Sequence, residues 1–590
     1  MSSDGGSSGA SAYQTLAGEQ QQLDTDYLVI GCGAMGMAFV DTILSDTISS
    51  VIIVDQDAKP GGHWQHAYPF VKLHQPALYY GLNSRALGSG DVSDHSSRRE
   101  IANYFEEAMS EWLALPKERC RFFPGCVWTS TKPTEFMTTD RCTRYVVNVR
   151  KKLVDATYLR AEIPAMHFEQ KSGVKPLYKV HADMEAHHVP VNALPSCVPG
   201  AHEEYVVIGG GKTGIDAVLW LLDVGVSPEK IKWVVSRDSW FIMRDALIHP
   251  FVLEGLGDPA KLGNHLPPGC LKCLPCVLAS FPCLRCLAGK RCSALFFFAG
   301  LVKVGLFKAL DDDISPTSFR CATISEGELK QLQRIVNCDN VKRFGKVKEI
   351  NGSQMVFERG TLATSPAVLH VDCSTTGLTP KNPVPVFSTN GIVLQSVFWC
   401  QPTFSGALIG HVEARRGQGL SIHQCNNLCA PCPHPSSAID GLQLTLTSIC
   451  NMNAWSKDVE MMSWLSQARL WLGSSVNLEK VKADYMEKNR KPLKPAEDVA
   501  DEILKSVAES QEVKYILFAL KIAESGHAHM TDVAVRDCWF ADPYLPDSPM
   551  RFWPASERRK VLQLLEHHNG GLLNALKQRV EHARRTDKRN

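Results

Sequence analysis

No apolar run in this chain is long enough to cross a bilayer. The strongest, Ala294-Leu-Phe-Phe-Phe-Ala-Gly-Leu-Val302, is broken by Lys303 and falls well short of the roughly 20 residues that a spanning helix needs. It reads as a buried helix. Charge of one sign is lacking too: Lys and Arg total 63 against 62 Asp and Glu, a net charge of +1. No global field therefore recruits nucleic acid or a membrane surface. Residues Met1 to Ala17 have neither an apolar core nor an Arg-rich amphipathic pattern. That excludes a signal or transit peptide and predicts a disordered tail over 1–24. Cysteine is plentiful at 20, but without a secretory signal it reads as reduced thiol in a cytoplasmic setting rather than a disulfide scaffold.

At 590 residues the chain exceeds a single core, and about two to four domains are expected. Two dinucleotide-binding fingerprints organise it. The first is Asp26-Tyr-Leu-Val-Ile-Gly31-Cys-Gly33-Ala34-Met35-Gly36, and the second is Glu204-Tyr-Val-Val-Ile-Gly209-Gly-Gly211-Lys212-Thr213-Gly214. Each follows an apolar strand-like run and opens a helix-like stretch, the context this pattern requires. Two nucleotide sites in one polypeptide suit two nucleotides that exchange electrons, a flavin fed by a nicotinamide.

In the first copy, Gly31 serves the tight turn, Gly33 the approach of a pyrophosphate, and Gly36 close helix–strand packing. The phosphates would sit on the positive end of a helix running from about Ala34 to Leu44. The next strand, Val51–Val54, ends in Asp55, at the spacing where an acidic side chain accepts hydrogen bonds from a ribose. An unphosphorylated ribose suits Asp55. In the second copy a helix is expected from about Thr213 to Val224, with Ile215, Val218, Leu219 and Leu222 at helical spacing on one face. Its following strand, Ile231–Val235, ends in Ser236-Arg237 and not in an acid. An arginine beside a hydroxyl is what a 2′-phosphate requires, so NADPH is expected over NADH. Lys212 would add positive charge near the pyrophosphate. The alternative for Lys212 and Arg237 is solvated surface charge.

The stretch Asp57-Ala-Lys-Pro-Gly61-Gly62-His63-Trp64 resembles the Gly-Gly-x-Trp segment that follows the first fingerprint of class B flavin-dependent monooxygenases. The resemblance spans roughly residues 25 to 450. It implies an α/β fold of two Rossmann-like domains, the NADPH domain inserted in the FAD domain, with a mostly helical C-terminal region. The implied boundaries are 25–200 for the first part of the FAD domain, 201–371 for the NADPH domain with a Cys-rich insert at 265–295, 372–457 for the second part of the FAD domain, and 458–590 for the helical region. The implied activity is an FAD- and NADPH-dependent monooxygenase that acts on a small organic molecule through a reduced-flavin/oxygen adduct. The run Val368-Leu-His-Val-Asp372-Cys-Ser-Thr-Thr376-Gly377 resembles the return from the nicotinamide domain, and Phe404-Ser-Gly-Ala-Leu-Ile-Gly410-His411 stands where such proteins place a last flavin-contacting turn, without their usual Gly-Asp pair. The Phe-x-Gly-x-x-x-His-x-x-x-Trp/Phe run of oxygen-inserting members is absent between the fingerprints. Two other classes stay open: a flavin reductase that passes electrons to a partner, and a non-enzymatic NADPH sensor.

Several features lie outside the fingerprints. Leu73 to Arg85, dense in aromatic and hydrogen-bonding groups, lines a flavin or substrate cavity or is a packed loop; His63, Trp64 and His74 are candidates for shaping the site. Tyr145–Val149 and Leu153–Thr157 read as two strands, Ser325-Glu-Gly-Glu328 as a capping box, and Asn351-Gly352 as a hairpin turn. Cys270, Cys273, Cys276, Cys283, Cys286 and Cys292 form paired Cys-x-x-Cys spacings, but the gap between pairs is shorter than zinc sites use. Buried thiols in an apolar helix explain them as well, and no metal is assigned. Cys425, Cys429 and Cys432 match a cluster spacing by coincidence. Ser556 to His568 reads as an amphipathic helix, and the basic end Arg584 to Arg589 as a complement to a helix C-terminus.

Overall fold

The computed structural model describes residues 19–90, 93–160, 177–198, 202–244, 307–314, 316, 318–374, 383–398, 400–417, 419–432, 448, 451, 454–455 and 458–468. The expected N-terminal tail up to residue 18, the apolar run 294–302, the Cys-rich insert, residues 375–377, the amphipathic helix 556–568 and the basic end lie outside the described residues.

The first sheet begins with β1 (Glu19–Ile30), β2 (Val51–Val54), β3 (Cys120–Phe123), β4 (Cys126–Trp128), β5 (Glu135–Thr138) and β6 (Thr143–Asp155). They lie in the order β3-β2-β1-β6-β5-β4. The pairs β3–β2, β2–β1 and β1–β6 are parallel, whereas β4 and β5 run antiparallel. Val51 to Val54 are all buried, as expected of a parallel strand covered on both faces. Helix α1 (Ala34–Asp46) connects β1 to β2 and buries Met37, Phe39 and Ile43 completely. Each such side chain contributes about 1.5–3 kcal/mol of burial. Helix α2 (Arg98–Leu113) is held at its start by a Ser97/Glu100 capping box.

The second sheet interrupts the first. It carries β8 (His188–Pro190), β9 (Glu204–Ile208), β10 (Ile231–Val234), β14 (Val341–Lys342) and β18 (Val368–Asp372), ordered β14-β10-β9-β18-β8 and all parallel. Helices α3 (Lys212–Asp223) and α4 (Glu326–Asn337) pack on it. The Ser325/Glu328 capping box forms as expected, and Leu329, Leu332 and Ile335 make the buried face of α4. Two smaller sheets complete this unit. One contains β11 (Ser239–Met243), β12 (Phe307–Lys308) and β13 (Ser318–Ile324). The other contains β7 (Lys179–Val180), β15 (Val347–Ile350), β16 (Gln354–Phe357) and β17 (Gly360–Ala363). The expected hairpin is β15–β16, where Asn351 Oδ1 accepts from the Ser353 and Gln354 N–H groups at 3.1 and 3.0 Å.

The chain then returns: β19 (Gly391–Val393) pairs in parallel with β6. Helix α5 (Pro402–Arg416) lies against α1, followed by α6 (Ile422–Leu428) and α7 (Val459–Gln467). One core thus joins Val29, Phe39 and Ile53 to Phe387, Leu394, Phe404 and Leu408, and a separate core gathers Val207, Val218, Trp233, Leu332 and Val371. The architecture is α/β, two dinucleotide-type units with the second inserted in the first.

Three expectations are corrected. The two strands read at 145–149 and 153–157 are one, β6, and Thr157 lies past its end. Its polar middle survives inside a sheet because Arg150 pairs with Asp26 at 3.0 Å, while Lys152, 3% exposed, donates to the carbonyls of Ser388 and Thr389. Phe404 to His411 is no turn but the body of α5, with Pro402 opening the helix. On α3 the fully buried positions are Ile215, Ala217, Val218 and Leu221; Leu219 and Leu222 pack only at the margin of the core.

Candidate nucleotide sites

The first glycine turn is anchored between strands by Gly31 N–H donating to Val54 O at 2.8 Å. A Cβ on Gly36 would stand 2.3 Å from Gly31 O, so only glycine lets α1 start this close to β1. Gly33 caps α1 in an extended conformation and among the described residues no side chain accepts from the first turn, which leaves the N–H groups at Ala34, Met35 and Gly36 available to an anion. Gly61 and Gly62 lie over this turn. Gly61 N–H donates to Cys32 O at 2.8 Å, and a Cβ on Gly62 would reach within 2.8 Å of Gly33 Cα.

Asp55 closes the far side. It is 8% exposed, and its carboxylate accepts from Cys32 N–H at 2.5 Å and Asp57 N–H at 2.9 Å. Burial pushes its carboxyl above the usual range, and these two N–H groups pull it back. Trp64 is buried and donates from Nε1 to the Tyr80 hydroxyl at 2.7 Å. Its neighbour His63 is exposed, with its ring 4.9 Å from that of Trp64, and desolvation followed by the nearby His66 lowers its imidazole pKa.

A second helix end meets the same place. A Cβ on Gly406 would stand 2.3 Å from Met35 O, and one on Gly410 would stand 3.1 Å from Phe39 O. Contacts that advance together along both helices make α5 parallel to α1, with both N-termini at the glycine turn. Helix α5 also lacks a side-chain cap. Beside its start, Gln401 Nε2 donates to Gln75 Oε1 at 2.9 Å, while Gln401 Oε1 and the fully buried Thr403 Oγ1 have no partner among the described residues. Buried polar atoms left in this state are expected where a polar ligand completes them.

In the second turn, Gly209 has φ +131°, and a Cβ there would meet Cys373 O at 2.3 Å; one on Gly214 would meet Gly209 O at 1.9 Å. Trp233 Nε1 donates to Gly209 O at 2.9 Å. Gly211 caps α3, and among the described residues no side chain accepts from its first turn. Lys212 Nζ bonds Asp216, so its charge is engaged rather than free. Thr213 and Ser236 are half-buried and Arg237 is exposed. The neighbouring Asp238 pairs with Arg343 at 3.1 Å, a guanidinium it shares with Asp311 at 3.2 Å.

Sequence reasoning passed over residues 65–72, the middle of the segment that joins the two turns. After Trp64 the chain reaches the second unit, where Tyr68 bonds Asp216, Phe70 stacks on Trp220, and His74 O accepts from Arg244 Nε at 3.1 Å. Arg244 also pairs with Glu328 at 3.1 Å. His74 Nδ1 is buried without a partner among the described residues; burial first, then Lys212, Arg244 and His95, push this imidazole down to about 3, so it is neutral at physiological pH. No residue spacing marks Tyr68, Asp216, Arg244 or Gln401 in advance, because their roles arise from contacts between distant segments.

Thiols near the two turns are inert by placement. Cys32 in the first turn is buried and its pKa is raised well above the usual value, chiefly by desolvation. Cys425, Cys429 and Cys432 are buried, and among the described residues no group of three or more His, Cys, Asp or Glu is placed to hold a metal ion. Among the described residues, too, no helix is long and apolar enough to cross a membrane.

No family model matches the chain. Among solved structures, cyclohexanone monooxygenase in an open form aligns at 14% identity and TM-score 0.37, over 66% of this chain and 88% of that one. The bacillithiol disulfide reductase Bdr of Bacillus cereus aligns at 12% and TM-score 0.38, over 67% and 99%. Likenesses this remote carry no weight for chemistry. The uncharacterized proteins Rv2000 of Mycobacterium tuberculosis and Mb2023 of Mycobacterium bovis are each 36% identical over 463 residues, covering 77% of this chain and 78% of theirs. On that identity and coverage, the protein belongs to the same family as Mycobacterium tuberculosis Rv2000.

Proposed function

We propose that the protein is an FAD-dependent, NADPH-using oxidoreductase, and within that class a monooxygenase that acts on a small organic molecule with oxygen. The observation that carries this reading is the pair of uncapped glycine turns, one ending in Asp55 and the other in Ser236-Arg237, joined by residues 61–75. In this reading residues 25–200 and 372–457 form the FAD domain and 201–371 the NADPH domain. The first-turn residues Gly31, Gly33, Ala34, Met35 and Gly36 hold the FAD diphosphate on the α1 N-terminus, and Asp55 takes the ribose. Gly62, His63 and Trp64 border the ring system, and the uncapped start of α5 faces its polar edge. Gly209, Gly211, Lys212, Thr213 and Gly214 hold the NADPH diphosphate, with Ser236 and Arg237 on the 2′-phosphate.

When bound, the flavin supplies the redox chemistry, taking a hydride from the nicotinamide and passing electrons to oxygen. The chain's own residues bind, orient and exclude water; His74 and His63, held neutral by their surroundings, add no cation beside the reacting rings. The raised Cys32 thiol argues against a dithiol relay at the first turn. Buried free thiols such as Cys373 and Cys429 support a reducing, cytoplasmic setting.

The test is an anaerobic visible spectrum of the purified protein before and after NADPH. Flavin bands that bleach with NADPH support both sites and the electron path between them. Readmitting oxygen with candidate substrates then separates insertion from simple reoxidation. A protein that stays colourless after incubation with FAD sinks the enzyme reading.

A further inference from the structure

Tyr68 belongs to the first unit by sequence and to the second by packing. It is 8% exposed and sits in the core of the second unit. Its ring lies 4.9 Å from Phe70, which stacks on Trp220 of α3 at 5.1 Å. Its hydroxyl donates to Asp216 Oδ2 at 2.6 Å, and the other oxygen, Oδ1, accepts from Lys212 Nζ. The Thr213 hydroxyl is also within hydrogen-bond reach of Tyr68. Lys212 is the first residue of α3 and Asp216 lies one turn on.

This arrangement sets up a competition. A diphosphate arriving at the uncapped first turn of α3 draws Lys212 away from Asp216. The Asp216 side chain is only 11% exposed, so water compensates it poorly once the ammonium leaves, and an uncompensated buried carboxylate is costly. The Tyr68 hydroxyl is the donor that remains. Without it, Asp216 would hold Lys212 more tightly and leave less positive charge for the incoming phosphates.

We propose that Tyr68 is a positioning residue for the nicotinamide nucleotide: by bonding Asp216 it releases Lys212 to the diphosphate, so that affinity in the second unit depends on a side chain of the first. This rests on the assignment of the second glycine turn to NADPH. Tyr68→Phe keeps the ring and its packing and removes only the donor. The bond to Asp216 is present with and without nucleotide, so only its strengthening as Lys212 departs enters the affinity, and NADPH should bind about three- to fivefold more weakly. Asp216→Asn removes the competing charge, so Lys212 is free with or without Tyr68. In that background the further change Tyr68→Phe alters affinity by less than about twofold.

The experiment is calorimetric titration of NADPH into the flavin-loaded full-length protein as wild type, Tyr68→Phe, Asp216→Asn and the double variant, with flavin absorbance per chain checking that each is folded. The expected pattern is a loss with Tyr68→Phe that disappears on Asp216→Asn, which a merely structural role for Tyr68 would not give. Wild-type affinity in Tyr68→Phe overturns the proposal, and so does a loss that persists undiminished in the double variant. Should Tyr68→Phe fail to load flavin, the comparison of Asp216→Asn with wild type decides: weaker binding on removing the competing carboxylate refutes it. A wild-type protein that binds no NADPH removes the functional reading itself, an outcome distinct from any difference among variants.

Discussion

His370 gives the second unit a built-in sensitivity to acid. It stands at the centre of β18, fully buried and opposite His188 in the parallel register. Its Nε2 meets Thr364 Oγ1 at 2.9 Å and its Nδ1 meets His187 O at 3.2 Å. Burial pushes its imidazole from 6.5 down to about 4, with the nearby His188 and His187 acting in the same direction against its backbone hydrogen bonds. The unfolded chain therefore takes up a proton between about pH 6.5 and 4 that the folded chain refuses. The stability tied to neutral His370 is complete above the unfolded value and is lost as pH falls through that window. Over the full window it amounts to about 3 kcal/mol, and at pH 5 about 2 kcal/mol has gone. His188, bonded to Tyr178 at 2.8 Å and also lowered by burial against the opposing charge of Asp372, adds to the same trend. The assay is the free energy of opening of β9 and β18 in urea, followed by hydrogen exchange at pH 7.5 and pH 5. His370→Gln keeps polar ends and removes the titration. Its loss between the two pH values should be smaller than that of the wild type by about 2 kcal/mol, and an equal loss in both proteins would refute the assignment.

Three further outcomes follow from the sites. Gly406→Val places a Cβ 2.3 Å from Met35 O and 3.2 Å from Ala38 Cβ, so α5 must part from α1; an overpacking penalty of about 1–3 kcal/mol should lower flavin loading, read as visible absorbance per chain, and leave NADPH titration intact. Arg237→Glu puts a carboxylate where a 2′-phosphate is expected, and the ratio of kcat/KM for NADPH over NADH should fall at least about tenfold; an unchanged ratio places the phosphate elsewhere. Under native conditions a thiol reagent with peptide mapping should label the exposed Cys142 and spare Cys32, Cys373 and Cys429, whose thiols burial holds well above the usual range; rapid labelling of Cys32 would contradict its placement.

Local pattern made much of the fold legible. The fingerprints, the helices that follow them, the Ser325 capping box and the Asn351-Gly352 hairpin are all set by residues within a few positions of one another, and each formed where expected. The errors share one cause. The polar run Arg150-Lys151-Lys152 looks like a strand break until the carbonyls of Ser388 and Thr389, more than two hundred residues later, accept the Lys152 ammonium. Gly406 and Gly410 read as turn residues for the same reason. Their spacing of four suits a helix that presses its backbone on another helix, and only the presence of α1 decides between the two meanings.

The same physics explains which parts of the site could be read. A glycine turn is recognisable because the backbone itself forms the site, and the steric demand at Gly36 or Gly214 comes from atoms of the turn, Gly31 O and Gly209 O. Side chains that complete a site across a domain boundary carry no such mark. Lys212 illustrates the difference. Its position at the start of α3 suggested a cation offered to phosphate, and the fold shows that cation already held by Asp216, which is in turn held by Tyr68. Whether Lys212 serves a nucleotide is then decided not by its own place in the motif but by how strongly its neighbours compete for it. If the second turn takes the nicotinamide nucleotide as proposed, affinity there is a property of the joint between the two units, and substitutions in residues 61–75 should change nicotinamide binding even though none of them lies in the second fingerprint.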